Sequence, residues 1–327
     1  MKLTVSRVVV FAPNWLGDAV MALPAIADVG RALPAGALTI AARPTIAPLF
    51  GLLPAMGDVV LLTKKGPETR SPMSTAILLP NSFQSALSAW RAGISERWGY
   101  RTDWRRALLT RAIEAPTGLH QVEYYRHLMR ALGFANGSGQ PHIPLSNELR
   151  ESGAEQLRGV GWDGVEPLLA IAPGAAYGGS KRWPPEYFAA LVRSLSEDGV
   201  RAVMVGSRAD LPVGREIEAA VEASNGVSLL NLMGTDLPTL AAVLVNCRAL
   251  VSNDSGAMHL AVALGVRVTA VYGPTDERVT RPLGDAHAVL TNPVWCRPCW
   301  LRECPIDHRC MRGIGVDRVA GAVRPML

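Results

Sequence analysis

Three short stretches carry residue types that could act on a ligand. In Pro13-Asn14-Trp15-Leu16-Gly17-Asp18, directly after an apolar run ending at Ala12, Gly17 permits a tight turn and Asp18 falls at the start of a helix. Its carboxylate either caps that helix or serves a cleft as general base toward a substrate hydroxyl. The stretch lacks the G-x-G-x-x-G pattern, which disfavours a dinucleotide site here. The second stretch runs Pro173-Gly174-Ala175-Ala176-Tyr177-Gly178-Gly179-Ser180-Lys181-Arg182-Trp183-Pro184. Its glycines allow close backbone approach, and Lys181 and Arg182 add positive charge where a helix N-terminus already favours anions. The competing account is a surface turn with a solvated Lys-Arg pair. Walker A is excluded, because no Gly-Lys-Ser/Thr follows at that spacing. The third stretch is Ser252-Asn253-Asp254-Ser255-Gly256-Ala257-Met258-His259. Amides of Ser255, Gly256 and Ala257 at a helix start could hold a diphosphate, with His259 one turn further on, while Asp254 or Ser255 caps the helix. The two glycine- and serine-bearing stretches together point to a ligand carrying a diphosphate.

Two further clusters stand apart. Cys296, Cys299, Cys304 and Cys310 form C-x2-C-x4-C-x5-C within fifteen residues, beside His308. Such a set supplies either a tetrahedral structural zinc site, without the usual second C-x2-C knuckle, or reduced thiols, with disulfides disfavoured in a reducing compartment. Cys247, alone in an apolar helix, reads as a core thiol. Between Arg91 and Arg130, eight arginines (Arg91, Arg97, Arg101, Arg105, Arg106, Arg111, Arg126, Arg130) stand against Glu96, Asp103, Glu114 and Glu123, a local net of +4. The stretch reads either as a solvated helix face or as a docking surface for phosphorylated or lipid-headgroup material, with Trp90, Trp98, Tyr100 and Trp104 as interfacial anchors.

The elements that must position these residues alternate between strand and helix. In the first block, Arg7–Ala12, Ala37–Ala42, Asp58–Leu62 and Ala76–Pro80 read as strands, with a helix over Asp18–Leu33. The second block alternates strands Leu168–Ala172, Arg201–Gly206, Val227–Leu230, Ala249–Ser252 and Arg267–Tyr272 with helices Pro184–Asp198, Val213–Ser224, Leu237–Cys247 and Gly256–Leu264. Turn formers over Ala135–Pro144, then a helix near Asn147–Val160, separate the blocks. This pattern implies parallel βαβ units and an α/β fold of two Rossmann-like domains facing a cleft, residues 1–150 and 151–327. The chain of 327 residues is long enough for two domains, and its 49% hydrophobic and 19% charged composition suits buried cores rather than disorder. No apolar stretch approaches the roughly 20 residues of a spanning helix. Asn14, Gly17 and Asp18 interrupt what would be a signal-peptide core, so a cytoplasmic protein is expected. A net charge of +5 suits an anionic partner. Nucleic acid is disfavoured, since no recognised binding motif accompanies the cysteines.

Taken together these residues resemble the ADP-heptose:lipopolysaccharide heptosyltransferases, and within them the heptosyltransferase II branch. The resemblance rests on Ala12–Met21, Leu79–Leu87, Ala92-Gly93-Ile94, Pro173–Pro184, Val205–Ser207, Asn253–His259 and Tyr272-Gly273-Pro274, and spans about residues 1–290. It implies the two-domain GT-B glycosyltransferase architecture, with an acceptor-binding first domain and a donor-binding second domain. It implies ADP-heptose as donor, no required cofactor, and a lipid A–core acceptor reached by peripheral contact at the inner face of the inner membrane, with the enzyme a monomer. By motif, Asp18 matches the base and Lys181 the phosphate ligand. Gly174, Arg182, Asp254, Ser255, Gly256, Ala257 and His259 match the donor site. The hydroxyl-bearing residues that some relatives place before the lysine are Ala176 and Tyr177 here. The alternatives are another nucleotide-sugar enzyme, such as an epimerase, or a different core acceptor.

Overall fold

A computed structural model describes residues 7–69, 71–144, 146–223 and 227–327. Internal contacts divide the chain into one unit up to Ile143 and another from Pro144.

In the first unit the order is β1 (Val8–Phe11), α1 (Leu16–Arg31), β2 (Leu38–Ala42), α2 (Ala47–Gly51), β3 (Asp58–Thr63), β4 (Gly66–Pro67), β5 (Thr75–Leu78), α3 (Phe83–Arg91), β6 (Glu96–Tyr100), β7 (Arg111–Ile113) and α4 (Gln121–Leu132). The sheet runs β4-β3-β2-β1-β5-β6-β7, parallel throughout except for the β3–β4 hairpin. β1 is a four-residue apolar run buried along its whole length, as expected of a central parallel strand covered on both faces. Strand order reverses direction between β1 and β5. The loops leaving their carboxyl ends therefore flank a crevice, the place where open α/β sheets take ligands. Asn14 and Trp15, followed by the first turn of α1 with Asp18, leave one of those strands, and Pro80–Ser82 the other.

The second unit begins with α5 (Asn147–Gly159) and continues β8 (Leu168–Ala172), α6 (Pro185–Ser196), β9 (Arg201–Met204), α7 (Leu211–Glu222), β10 (Leu229–Asn231), α8 (Leu237–Leu244), β11 (Ala249–Asn253), α9 (Gly256–Ala263), β12 (Arg267–Tyr272) and β13 (Ala288–Thr291). Its all-parallel sheet runs β10-β9-β8-β11-β12-β13, and the reversal falls between β8 and β11. The loops after those two strands are Pro173–Pro184 and Asp254–Ser255, the two stretches singled out by their glycines and serines. A core of Leu169, Ile171, Trp183, Phe188, Val251 and Val271 packs beneath them.

The expected strands and helices are present with ends shifted by a few residues, and Ser224, the expected end of α7, lies outside the described residues. The helix-face account of Arg91–Arg130 is corrected. That stretch contains strands β6 and β7 as well as α4, because Trp98, Gly99 and Tyr100 are buried in the sheet. Among the described residues no helix is long and apolar enough to cross a membrane.

Candidate functional site

In the second unit the β8–α6 loop narrows to a short turn over Gly179–Lys181 before α6 starts at Pro185. Asn253, wholly buried at the end of β11, clamps the loop at both ends. Its Oδ1 accepts from Trp183 N at 2.9 Å and its Nδ2 donates to Pro173 O at 2.7 Å. Lys181 is thereby brought against the neighbouring loop, where its Nζ lies 2.5 Å from Asp254 Oδ2. The Asp254 carboxylate also accepts from Thr275 Oγ1 at 2.8 Å, and Thr275 is buried. Burial, then the Asp254 charge, holds the nearby Tyr272 phenol well above its ordinary pKa. The Tyr177 ring lies under Lys181 Nζ at 5.0 Å and beside Arg302 at 5.4 Å, distances at which a ring face attracts a cation.

Asp254 is therefore no helix cap. Ser255 occupies the N-cap of α9 without a side-chain cap bond, and its hydroxyl faces Ser252 Oγ at 2.9 Å. His259 is buried in the second turn. The glycines make close approaches, but to the chain itself. A Cβ on Gly174 would run into the Asp210 carboxylate, and one on Gly178 into the Arg302 carbonyl. Arg182 pairs with that same Asp210 at 3.7 Å.

In the first unit Asp18 is the third residue of α1, whose N-cap is Trp15. Tyr125 on α4 donates its hydroxyl to Asp18 Oδ1 at 3.4 Å. Burial, then the Asp18 charge, raises the Tyr125 pKa well above its ordinary value. On the same sheet edge a pocket of about 280 Å³ is lined by Asn14, Arg43, Lys64, Ser82 and Gln84, among others.

This architecture, with anion-favouring groups at the switch point of one sheet and a carboxylate at that of the other, has known relatives. Residues 71–309, well over half of the chain, match the model of glycosyltransferase family 9 (heptosyltransferase). The chain belongs to this family. It is 30% identical over 304 residues to Lipopolysaccharide heptosyltransferase 2 of Escherichia coli K12, covering 87% of each chain. It is 26% identical over 307 residues to Lipooligosaccharide heptosyltransferase 2 of Haemophilus ducreyi, covering 87% of this chain and 88% of that one. A solved structure of E. coli ADP-heptose lps heptosyltransferase II superposes with a TM-score of 0.81 at 27% identity, over 98% of each chain. The fold is thus of the GT-B glycosyltransferase type.

The cysteine segment of the glycosyltransferase forms the floor of the Lys181 loop. Ser180 N donates to Arg302 O at 2.9 Å, Gly179 N to Glu303 Oε1 at 3.0 Å and Tyr177 Oη to Trp300 O at 2.6 Å, while His308 Nε2 meets Ser180 O at 2.5 Å. The four cysteines Cys296, Cys299, Cys304 and Cys310 lie in this segment. All four are free thiols, and among the described residues no three His, Cys, Asp or Glu side chains are placed to hold a metal. The short helix Arg309–Arg312 packs Cys310 into the apolar core beside Met311. Burial, with the other three thiols nearby, raises the Cys310 pKa.

The arginine-rich stretch also divides. Arg105 is wholly buried and donates to Tyr100 O and Ser85 Oγ, each at 2.8 Å, and to Pro80 O. Burial lowers its pKa to about 10, so it stays charged near neutrality. Arg97 donates to the Leu108 and Ile94 carbonyls, Arg111 stacks on Trp98, Arg126 and Arg130 share Glu123, and Arg101 pairs with Glu114. Most of the local excess is thus bound up in the structure itself. Thr275 and Asp210 carry no motif signal of their own, although Tyr272-Gly273-Pro274 marks the turn before Thr275; Asn253 lies in the third stretch, but its type alone does not foretell the clamp.

Proposed function

We propose that the chain is an inverting heptosyltransferase moving L-glycero-D-manno-heptose from ADP-heptose to the inner-core heptose of lipopolysaccharide. The first unit takes the lipid A–core acceptor and the second takes ADP. The observation carrying this proposal is the Lys181 ammonium held 2.5 Å from Asp254 beside the start of α9, at the switch point of the second sheet. An ammonium has three donors, and Asp254 takes one of them. The others are available to a diphosphate, together with the amides of Ser255, Gly256 and Ala257. Gly174, Arg182, Asp254 and His259 belong to the same donor site. The names of the relatives supply heptose, ADP and lipopolysaccharide.

In the reaction, Asp18 takes the proton of the acceptor hydroxyl, whose oxygen attacks the anomeric carbon opposite the diphosphate. The bond from that carbon to the β-phosphate oxygen breaks, and its electron pair leaves with ADP. Lys181 and the α9 amides stabilise the charge that grows there; losing one such donor commonly costs about 3–4 kcal/mol in the barrier. These groups carry the charge without a required metal. The enzyme acts as a monomer in the cytoplasm, peripheral to the inner membrane.

The test is transfer of labelled heptose from ADP-heptose to a panel of truncated inner-core acceptors, with and without excess EDTA, and assignment of the product anomer. Transfer to a heptose-ended core with inverted configuration is expected. Absence of transfer to every core acceptor, or retention of configuration, would overturn the proposal.

A further inference from the structure

The first sheet's carboxyl edge ends, after β6, in Arg101-Thr102-Asp103-Trp104-Arg105-Arg106. Asp103 and Trp104 both adopt left-handed backbone conformations, with φ of 49° and 58°, which side-chain-bearing residues hold only where surrounding structure enforces them. The enforcement is visible. Asp103 Oδ2 accepts from Phe83 N at 2.6 Å, Thr102 Oγ1 donates to Asn81 O at 3.0 Å, and the next residue is the buried, carbonyl-bound Arg105. The outcome is a Trp104 side chain 96% exposed, the most exposed large hydrophobic residue described. A lone exposed apolar residue is ordinary. A tryptophan held outward by a strained, fully anchored turn is not.

Exposed cations share this edge of the sheet. The loops leaving this edge carry Arg43, Lys64, Lys65, Arg101 and Arg106, all exposed, against Asp18, Asp103 and Glu114. The other aromatics of the arginine-rich stretch take no part. Trp98 and Tyr100 are buried, and Trp90 lies at the far end of α3, which runs back from this edge.

We propose that Trp104 is an interfacial anchor that docks this edge of the first unit on an anionic phospholipid bilayer, with Arg106 contacting headgroups. Tryptophan favours the membrane–water boundary, where its apolar ring and N–H are both satisfied. Basic residues beside it add attraction to anionic lipid. The inference rests on the acceptor being lipid-borne, as proposed for the function. The edge that carries Asp18 would then face the bilayer holding the acceptor.

The experiment uses the full chain and Trp104→Ser, compared by co-sedimentation with phosphatidylcholine vesicles with and without phosphatidylglycerol. Both proteins are also assayed on a delipidated core acceptor and on the same acceptor embedded in vesicles. The wild type is expected to sediment with phosphatidylglycerol vesicles, and Trp104→Ser to bind them at least about tenfold more weakly. Turnover on the delipidated acceptor and the thermal midpoint should be unchanged, while turnover on the embedded acceptor falls. Equal vesicle binding by the two proteins, or none by the wild type, would overturn the anchor. Equal loss on both acceptors would also overturn it, by placing Trp104 in the site itself. If the wild type fails on every acceptor, the function proposal fails while the sedimentation result still decides the anchor.

Discussion

Lys181 and Asp254, 73 residues apart in the chain, meet as an ion pair with side chains only 13% and 7% exposed. Each loop of the second unit's switch point thus holds the other's charge, so the geometry that would receive a diphosphate is assembled before any ligand arrives. Removing one partner strands a buried charge, which typically costs about 3–5 kcal/mol. Lys181→Ala is expected to lower stability by about 3 kcal/mol and to weaken ADP binding. Lys181→Ala/Asp254→Asn should regain most of the stability but not the affinity. Chemical unfolding and ADP titration separate the two effects. Recovery of ADP affinity in the double variant would reduce Lys181 to a structural counter-ion.

Asp18→Asn preserves the size of the side chain and an oxygen for Tyr125. Nucleotide binding should be unchanged, while kcat falls by about 10²–10⁴, the usual worth of a general base. Tyr125→Phe removes a hydrogen bond that favours the ionised carboxylate. The acid limb of the pH–rate profile should therefore move to higher pH. A limb that stays in place would show that the 3.4 Å contact has no part in tuning the base.

Arg105 donates to carbonyls of Tyr100 and Pro80 and to the Ser85 hydroxyl. Arg105→Met should cost about 3 kcal/mol, because the buried acceptors it leaves cannot be hydrated cheaply. Arg105→Lys should recover less than half of that, since an ammonium lacks the planar fork that spans Pro80, Ser85 and Tyr100. Urea unfolding measures both. Full rescue by lysine would mean that charge, rather than shape, holds the turn.

Gly178→Ala places a Cβ against the Arg302 carbonyl, which also accepts the Ser180 amide. Separation of the cysteine segment from the Lys181 loop should weaken ADP binding about tenfold, or about 1.4 kcal/mol. Chelators should leave the thermal midpoint of the wild type where it is, because among the described residues no three His, Cys, Asp or Glu side chains are placed to hold a metal. A midpoint that drops under chelation would restore the metal.

Much of this molecule is legible in its sequence where burial is continuous. Leu168–Ala172 is found with the expected bounds, a fully buried apolar run as a covered central parallel strand requires, and Arg267–Tyr272 likewise, buried from Val268 onward. β6 is hidden because it opens with Glu96 and Arg97, whose polar groups bond locally to Trp98 and to backbone carbonyls. The candidate residues are legible by type, but their pairings are not, as with Lys181 and Asp254. The cysteine spacing suggests metal, whereas the segment's contacts are made largely by the main-chain oxygens of Trp300, Leu301 and Arg302, which any side chain could accompany. Counting arginines shows charge but not which of them turn inward to bind carbonyls.

The loop around Lys181 is floored by residues 300–308, and Trp183, near its end, donates its indole N–H to Ile314 O at 2.8 Å. During synthesis the first unit can close while the rest of the chain is still being made. The Lys181 loop cannot be finished until residues about 130 positions downstream have emerged. A nascent chain would thus hold a folded first sheet well before the Lys181 loop is complete, so the second switch point is the last part of each new molecule to take shape.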